Sequence, residues 1–281
     1  MSVKKTHKTL RKICEQCKGQ SRRSIEVIQR ETITKPLTAL FPDTPAEAIY
    51  YELLQNGLFE AKEWRELEKV VARLEERDIW ALAGKEYTRL RKLWDGPEVD
   101  IYMYPLTKKR PSMEGHVANK NGVAYKNALF LFVTPELEEQ ELYALLAHEY
   151  HHICRIFHRG SSPMERTLSE SLVIEGMAEA AVEELYGEGW LSPWAKRYTI
   201  EQAKDMWARH FVPSLEVKGV LNHRPFLYGD WKQRLPKWGG YSIGYHIVQS
   251  YLQNNGPVSQ KKLCKLSADE IVAGSDFTIR K

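Results

Sequence analysis

The sequence predicts an α+β fold that is mostly helical, and three observations predict it. Long stretches repeat their apolar residues every three or four positions, two short apolar runs mid-chain read as strands, and proline and glycine mark the boundaries. From about Lys4 to Trp94 the pattern is helical, as in Trp64, Leu67, Val70, Val71 and Leu74, with charge on the opposite face. Asp95-Gly96-Pro97 breaks it. "VDIYMYPL" then reads as a strand, and "ALFLFV", after a polar glycine-containing segment, as another. From Glu136 to Phe157 there is neither proline nor glycine, and Thr134-Pro135 fits a helix start with threonine as cap and proline in the first turn. A second helix is expected from about Met164 to Tyr186, and several helical turns after Trp190. Residues 1–95 thus read as a helical N-terminal subdomain and 96–281 as the part that carries the chemistry.

Bulk properties exclude more than they identify. The chain has 281 residues, enough for a sizeable core, and a net charge of +4 from 41 basic and 37 acidic residues spread throughout. That balance does not predict a nucleic-acid binder. No apolar stretch is long enough for a membrane span. The basic start (Lys4, Lys5, Lys8, Arg11, Lys12) lacks the apolar segment of a secretory signal, so a cytoplasmic location with reduced cysteines is expected. Cys14-Glu-Gln-Cys17 has C-x-x-C spacing, but no second pair follows and no strand precedes it, which favours plain packing.

The informative stretch is "LLAHEYHHICRIFH", Leu145 to His158. At about 100° per residue, Leu146, Glu149 and Ile153 fall within about 40° of Leu142, so a carboxylate stands inside the apolar stripe. Such a group must be neutralised, paired or employed. His148 and His152 lie about 40° apart on one flank, as i and i+4 positions do, while His151 and His158 point to the far side, which makes His151 an outer-face passenger. The pairing is therefore His148-Glu149-x-x-His152, in which two imidazoles hold zinc and the glutamate can take a proton from a water.

A catalytic zinc site usually takes three protein ligands. The H-x-x-G-x-x-H extension that would add a third histidine is absent, since Arg155 and His158 follow instead. In "LSESLVIEGMAEAAVEEL", Glu175 shares a helical face with Leu168, Leu172, Ala178 and Val182, with Glu179 one turn further on. Glu170 and Glu184 fall on other sides, where a surface role suffices. Glu175 is thus the expected third ligand, and the small Gly176 and Ala178 would let a neighbouring helix come close.

These residues carry a resemblance. His148-Glu149-Tyr150-His151-His152 followed by Glu175-Gly176-Met177-Ala178-Glu179 is similar to the gluzincin zinc metallopeptidases, and "LLAHEYHHICR" with "VIEGMAE" resembles an uncharacterised bacterial family of predicted zinc-dependent proteases. The likeness runs from about Val99 to Leu252. It implies a zincin-like core, made of a small sheet with an edge strand, the H-E-x-x-H helix and a third-ligand helix, with one zinc per chain on His148, His152 and Glu175. It further implies Glu149 as base, Glu179 as support for a zinc histidine, and Tyr241 of Tyr241-Ser-Ile-Gly244 as oxyanion donor, with Tyr245 and His246 close by. Ala128 to Val133 would be the edge strand that pairs with an extended substrate. Met113-Glu114-Gly115 stands where aminopeptidases of this clan carry an amine-binding glutamate, but its neighbours do not match theirs.

The implied activity is hydrolysis of peptide bonds in a peptide or protein substrate, by a zinc-activated water with Glu149 as general base. The alternative is a zinc-stabilised regulatory or interaction protein, against which an intact Glu149 argues because a structural site does not need it.

Overall fold

The computed structural model describes residues 2–109, 118–160 and 162–277. Met113-Glu114-Gly115 lies outside them. The chain divides into two compact units, Met1–Lys92 with Glu98–Glu149 and Leu93–Pro97 with Tyr150–Lys281.

The first unit is helical with a small sheet. Helix α1 (Thr6–Cys17) buries Thr6, Leu10, Ile13, Cys14 and Cys17, a single stripe at helical spacing. The C-x-x-C cysteines are thus part of the apolar seam; burial raises both thiols, Cys14 to about 11, so neither is a reactive thiolate. Helices α2 (Arg22–Ile33), α3 (Ala46–Gln55), α4 (Trp64–Glu76) and α5 (Ile79–Trp94) follow, and α4 buries Leu67, Val71 and Leu74 as its periodicity requires. Asp95, at φ 51°, ends α5 where the sequence breaks.

Strands β1 (Asp100–Pro105), β2 (Lys120–Ala124) and β3 (Ala128–Val133) form a sheet in the order β1-β3-β2, with β1 parallel and β2 antiparallel to β3. Every residue of β3 is buried, whereas β2 is half-exposed throughout. This corrects the expected edge: β3 is apolar on both faces because it is the central strand, and β2 is the edge. On the far side, Val3 bridges β1. Among the described residues no strand pairs with the outer edge of β2.

Helix α6 runs Glu139–Arg159. It starts later than the Thr134-Pro135 signal suggests. The Pro135 carbonyl, which an earlier start would pair with a helical N–H, instead accepts from the Arg77 guanidinium, and the Leu137 amide closes a turn onto Thr134 at 3.2 Å. The Glu138 amide is capped by the Glu141 carboxylate at 3.1 Å.

The second unit is built around helix α7 (Leu168–Tyr186), packed along α10 (Gly239–Asn255). Helix α7 begins at Leu168, four residues after the expected start, because Thr167 caps it by accepting from the Glu170 amide. The Leu168 and Ser169 amides are satisfied by the carbonyls of Val217 and Leu215. Helices α8 (Ile200–Met206), α9 (Arg224–Tyr228), α11 (Gln260–Leu263) and α12 (Ala268–Ala273) complete it. No helix among the described residues is long and apolar enough to cross a membrane.

Candidate metal centre

From Leu146 to Arg155, α6 is buried at every residue except His148 and His152. From Leu168 to Val182, α7 is buried at every residue except Glu175. The only half-open positions in these two stretches are thus the three residues that spacing nominates as ligands. One ligand atom from each of the three lies within 4.8 Å of the other two. His152 Nε2 stands 3.5 Å from Glu175 Oε2, close to the roughly 3.3 Å separating two ligands of a tetrahedral zinc with bonds of about 2.0–2.1 Å. Two imidazoles and a carboxylate, open on one side and buried behind, are a donor set that fits zinc.

The approach of α10 to α7 is set by two glycines. A Cβ on Gly176 would lie 2.0 Å from the Gly244 carbonyl oxygen, and one on Gly244 2.1 Å from that of Leu172. Any side chain there would push the two main chains apart. This contact lies next to Glu175 and one turn from Tyr241. A third glycine serves Glu149: a Cβ on Gly122 of β2 would meet Glu149 Cγ at 2.3 Å, so the edge strand passes directly over that carboxylate. Glu149 is itself only 8 % exposed.

A family model described as "Predicted Zn-dependent protease (DUF2268)" matches residues 79–273. The chain belongs to this family. Among its relatives is YjaZ of Bacillus subtilis (strain 168), itself named as uncharacterized, 31 % identical over 207 residues that make up 73 % of this chain and 78 % of the relative. Another is YjfC of the same organism, also uncharacterized, 32 % identical over 143 residues, 46 % of each chain. No solved structure matches the chain. The family's description suggests a hydrolase acting on peptides, and the His148, His152 and Glu175 cluster suits it.

The other nominated residues fall as follows. Tyr241 is 9 % exposed and sits among aromatic rings, 5.5 Å from Tyr228, 5.6 Å from Trp238 and 5.6 Å from Trp194. The neighbours named with it are engaged elsewhere: the Tyr245 hydroxyl donates to Glu183 at 2.7 Å, and His246 Nε2 lies 2.8 Å from the Tyr198 carbonyl. Glu179 is buried and accepts from the Ser192 amide at 2.9 Å and the Ser192 hydroxyl at 2.5 Å.

Two expectations are overturned. His151 does not face outward: it is fully buried, edge-on to Trp94, with Nε2 3.2 Å from Gln260 Oε1 and 3.5 Å from Cys264 Sγ. Glu170 is no surface carboxylate either. Arg155, also fully buried, grips it with two parallel bonds of 2.8 Å and donates to the carbonyls of Leu263 and Leu266. The segment around α11 covers the face of α6 that the helical wheel leaves to solvent. Reading Arg155 and Glu170 as an oppositely charged pair on consecutive helices is the signal that could have found them. Burial lowers the pKa of Arg166 below the ordinary arginine value, while the carboxylates of Glu170 and Glu175 favour its charge.

Proposed function

We propose that the protein is a zinc-dependent peptidase with a zincin-like, gluzincin-type core in residues 96–281, and that residues 1–95 are its helical subdomain. The observation that carries this reading is the coincidence of the half-open positions in α6 and α7 with a two-histidine, one-carboxylate cluster, beside a buried glutamate under an edge strand. His148, His152 and Glu175 would hold one zinc per chain. When bound, zinc supplies a Lewis acid that acidifies water and polarises the scissile carbonyl.

Each remaining step belongs to a side chain or strand. Glu149, held in a poorly solvated place under Gly122, takes the proton of the attacking water and passes it to the leaving amine. The outer edge of β2 offers backbone donors and acceptors to an extended peptide, which asks little of its sequence. The Tyr241 hydroxyl donates to the carbonyl oxygen as it gains charge. Glu179, fixed by Ser192, supports a zinc histidine from behind. The location consistent with four free, buried cysteines is the cytoplasm.

The test is cleavage of a mixed peptide pool by purified protein, abolished by a chelator and restored by zinc. Glu149→Gln is expected to keep zinc and the fold but lose turnover by about two decades or more, because it removes a base and no ligand. Wild-type turnover in that variant would discard the mechanism. Full zinc binding with no cleavage of any peptide would favour the zinc-stabilised regulatory protein.

A further inference from the structure

Tyr241 is flanked by Tyr228 and Trp238, and the chain between these two makes a closed loop, residues 229–237. Its neck is pinched shut. The Trp238 amide donates to the Tyr228 carbonyl at 3.1 Å, and the Tyr198 hydroxyl to that of Lys237 at 2.9 Å. Gly229, at φ +92°, lies so close to Lys237 that a Cβ would stand 2.6 Å from its Cα. Above the neck, Asp230 and Leu235 exchange backbone bonds of 3.1 and 2.8 Å, and Leu235 folds inward, 8 % exposed. The Asp230 carboxylate is spent inside the loop, accepting from the Lys232 amide at 2.8 Å and the Gln233 side chain at 3.0 Å.

What this rigid scaffold presents is costly to leave in water. Trp231 is 83 % exposed, the most exposed of the large apolar residues described. Beside it, Lys232 and Arg234 are exposed and have no carboxylate partner among the described residues; Lys237 is exposed at the neck, and Arg224 lies over the Tyr228 ring. One exposed tryptophan with the Lys232 ammonium 5.8 Å from its ring centroid and Arg234 nearby, on a loop held by its own hydrogen bonds, is a pre-organised recognition surface, since tryptophan and arginine carry much of the energy at binding sites and the loop backbone is already ordered. Asp230 is the loop's one acid and is consumed internally, so the outward charge is positive.

We infer that loop 229–237 sets the specificity of the peptidase proposed above, selecting acidic peptide segments that also carry an apolar side chain for Trp231. The inference rests on that reading, because it is the place of Tyr241 that brings the loop to the substrate. Lys232 and Arg234 face the substrate's carboxylates, and Trp231 covers its apolar side chain.

Two octapeptides, one rich in glutamate with a central phenylalanine and the other with lysine for each glutamate, are compared in cleavage by full-length protein. They are also compared in binding to zinc-loaded Glu149→Gln, by fluorescence anisotropy. The acidic peptide is expected to be favoured about five- to tenfold in kcat/KM, through KM, as the two exposed ion pairs with Lys232 and Arg234 allow, and the preference should shrink with salt. Lys232→Glu with Arg234→Glu should erase or invert it, and Trp231→Ala should weaken both peptides, with melting temperature and zinc content unchanged because these side chains are exposed. A preference that survives the charge reversal, or none in the wild type, overturns the inference while leaving the peptidase reading intact. Selective binding without chelator-sensitive cleavage of either peptide sinks the peptidase reading and keeps the loop's preference for acidic peptides. If the variants lose only binding to phosphatidylserine vesicles, the loop is a lipid anchor and the inference is wrong.

Discussion

Helix α6 carries two polar pairs at i,i+4 spacing, His148 with His152 and His151 with Arg155, and they have opposite fates. His151 and Arg155 are fully buried and bonded to Gln260, Glu170 and main-chain carbonyls of the α11 segment. His148 and His152 stay half-open and converge with Glu175. Helix α7 repeats the contrast, with Glu170 locked to Arg155 and Glu175 half-open beside His152. A polar group on a buried helix is structural where its partners close over it, and available for chemistry where the burial stops.

The largest effect should come from opening the closed face. Arg155→Ala leaves the Glu170 carboxylate buried without its cation and is expected to cost about 3–5 kcal/mol in denaturant unfolding. Arg155→Met with Glu170→Leu removes both charges and should recover most of that loss. If the single variant unfolds like the wild type, the closed face is not what holds α6 to α7.

A second contrast lies on α10. Tyr245 is committed to Glu183, so Tyr245→Phe should lower stability and leave turnover nearly unchanged. Tyr241→Phe keeps the aromatic packing and should instead lose about two to three decades of turnover with zinc content intact. A reversed result would move the oxyanion donor from Tyr241 to Tyr245.

Acid should act on a closed group too. His223 is fully buried, with Nδ1 2.8 Å from the Ser171 hydroxyl and Nε2 2.8 Å from the Val217 carbonyl, and burial, aided by Arg166, holds it below the ordinary histidine value of 6.5. A histidine whose folded pKa is depressed stabilises the fold as the neutral ring. That contribution is complete above the unfolded value and is lost as pH falls from there through the folded value. The melting temperature of metal-free protein should therefore fall as the pH drops below the ordinary histidine value of 6.5, and fall less in His223→Gln. This is the smallest of the three effects, and an equal slope in the variant would assign the titration to other groups.

What the sequence made legible depended on whether the physics was local. The helical spans of α6 and α7 and the strands β1 and β3 follow from periodicity and apolar runs. Strand β2 does not, because Lys120-Asn-Gly-Val-Ala has little strand character of its own and is a strand by pairing with β3. The wrong edge had a readable clue, since "ALFLFV" is apolar at every position and a strand buried on both faces lies inside a sheet. His148, His152 and Glu175 were legible because the i,i+4 rule and one helical face suffice to align them. Arg155, Glu170 and His151 were not, because a helical wheel gives direction but not what covers it, and here the cover comes from residues about a hundred positions away.

The central claim is that Glu175, and not Glu170, completes the metal site, and competition for zinc against a chromophoric chelator tests it most directly. Wild-type protein should bind one zinc per chain. Glu175→Ala should fold but bind zinc at least about a hundredfold more weakly, while the Arg155→Met, Glu170→Leu protein should keep wild-type affinity. A folded Glu175→Ala that holds zinc as tightly as the wild type, beside a folded double variant that does not, would contradict the account.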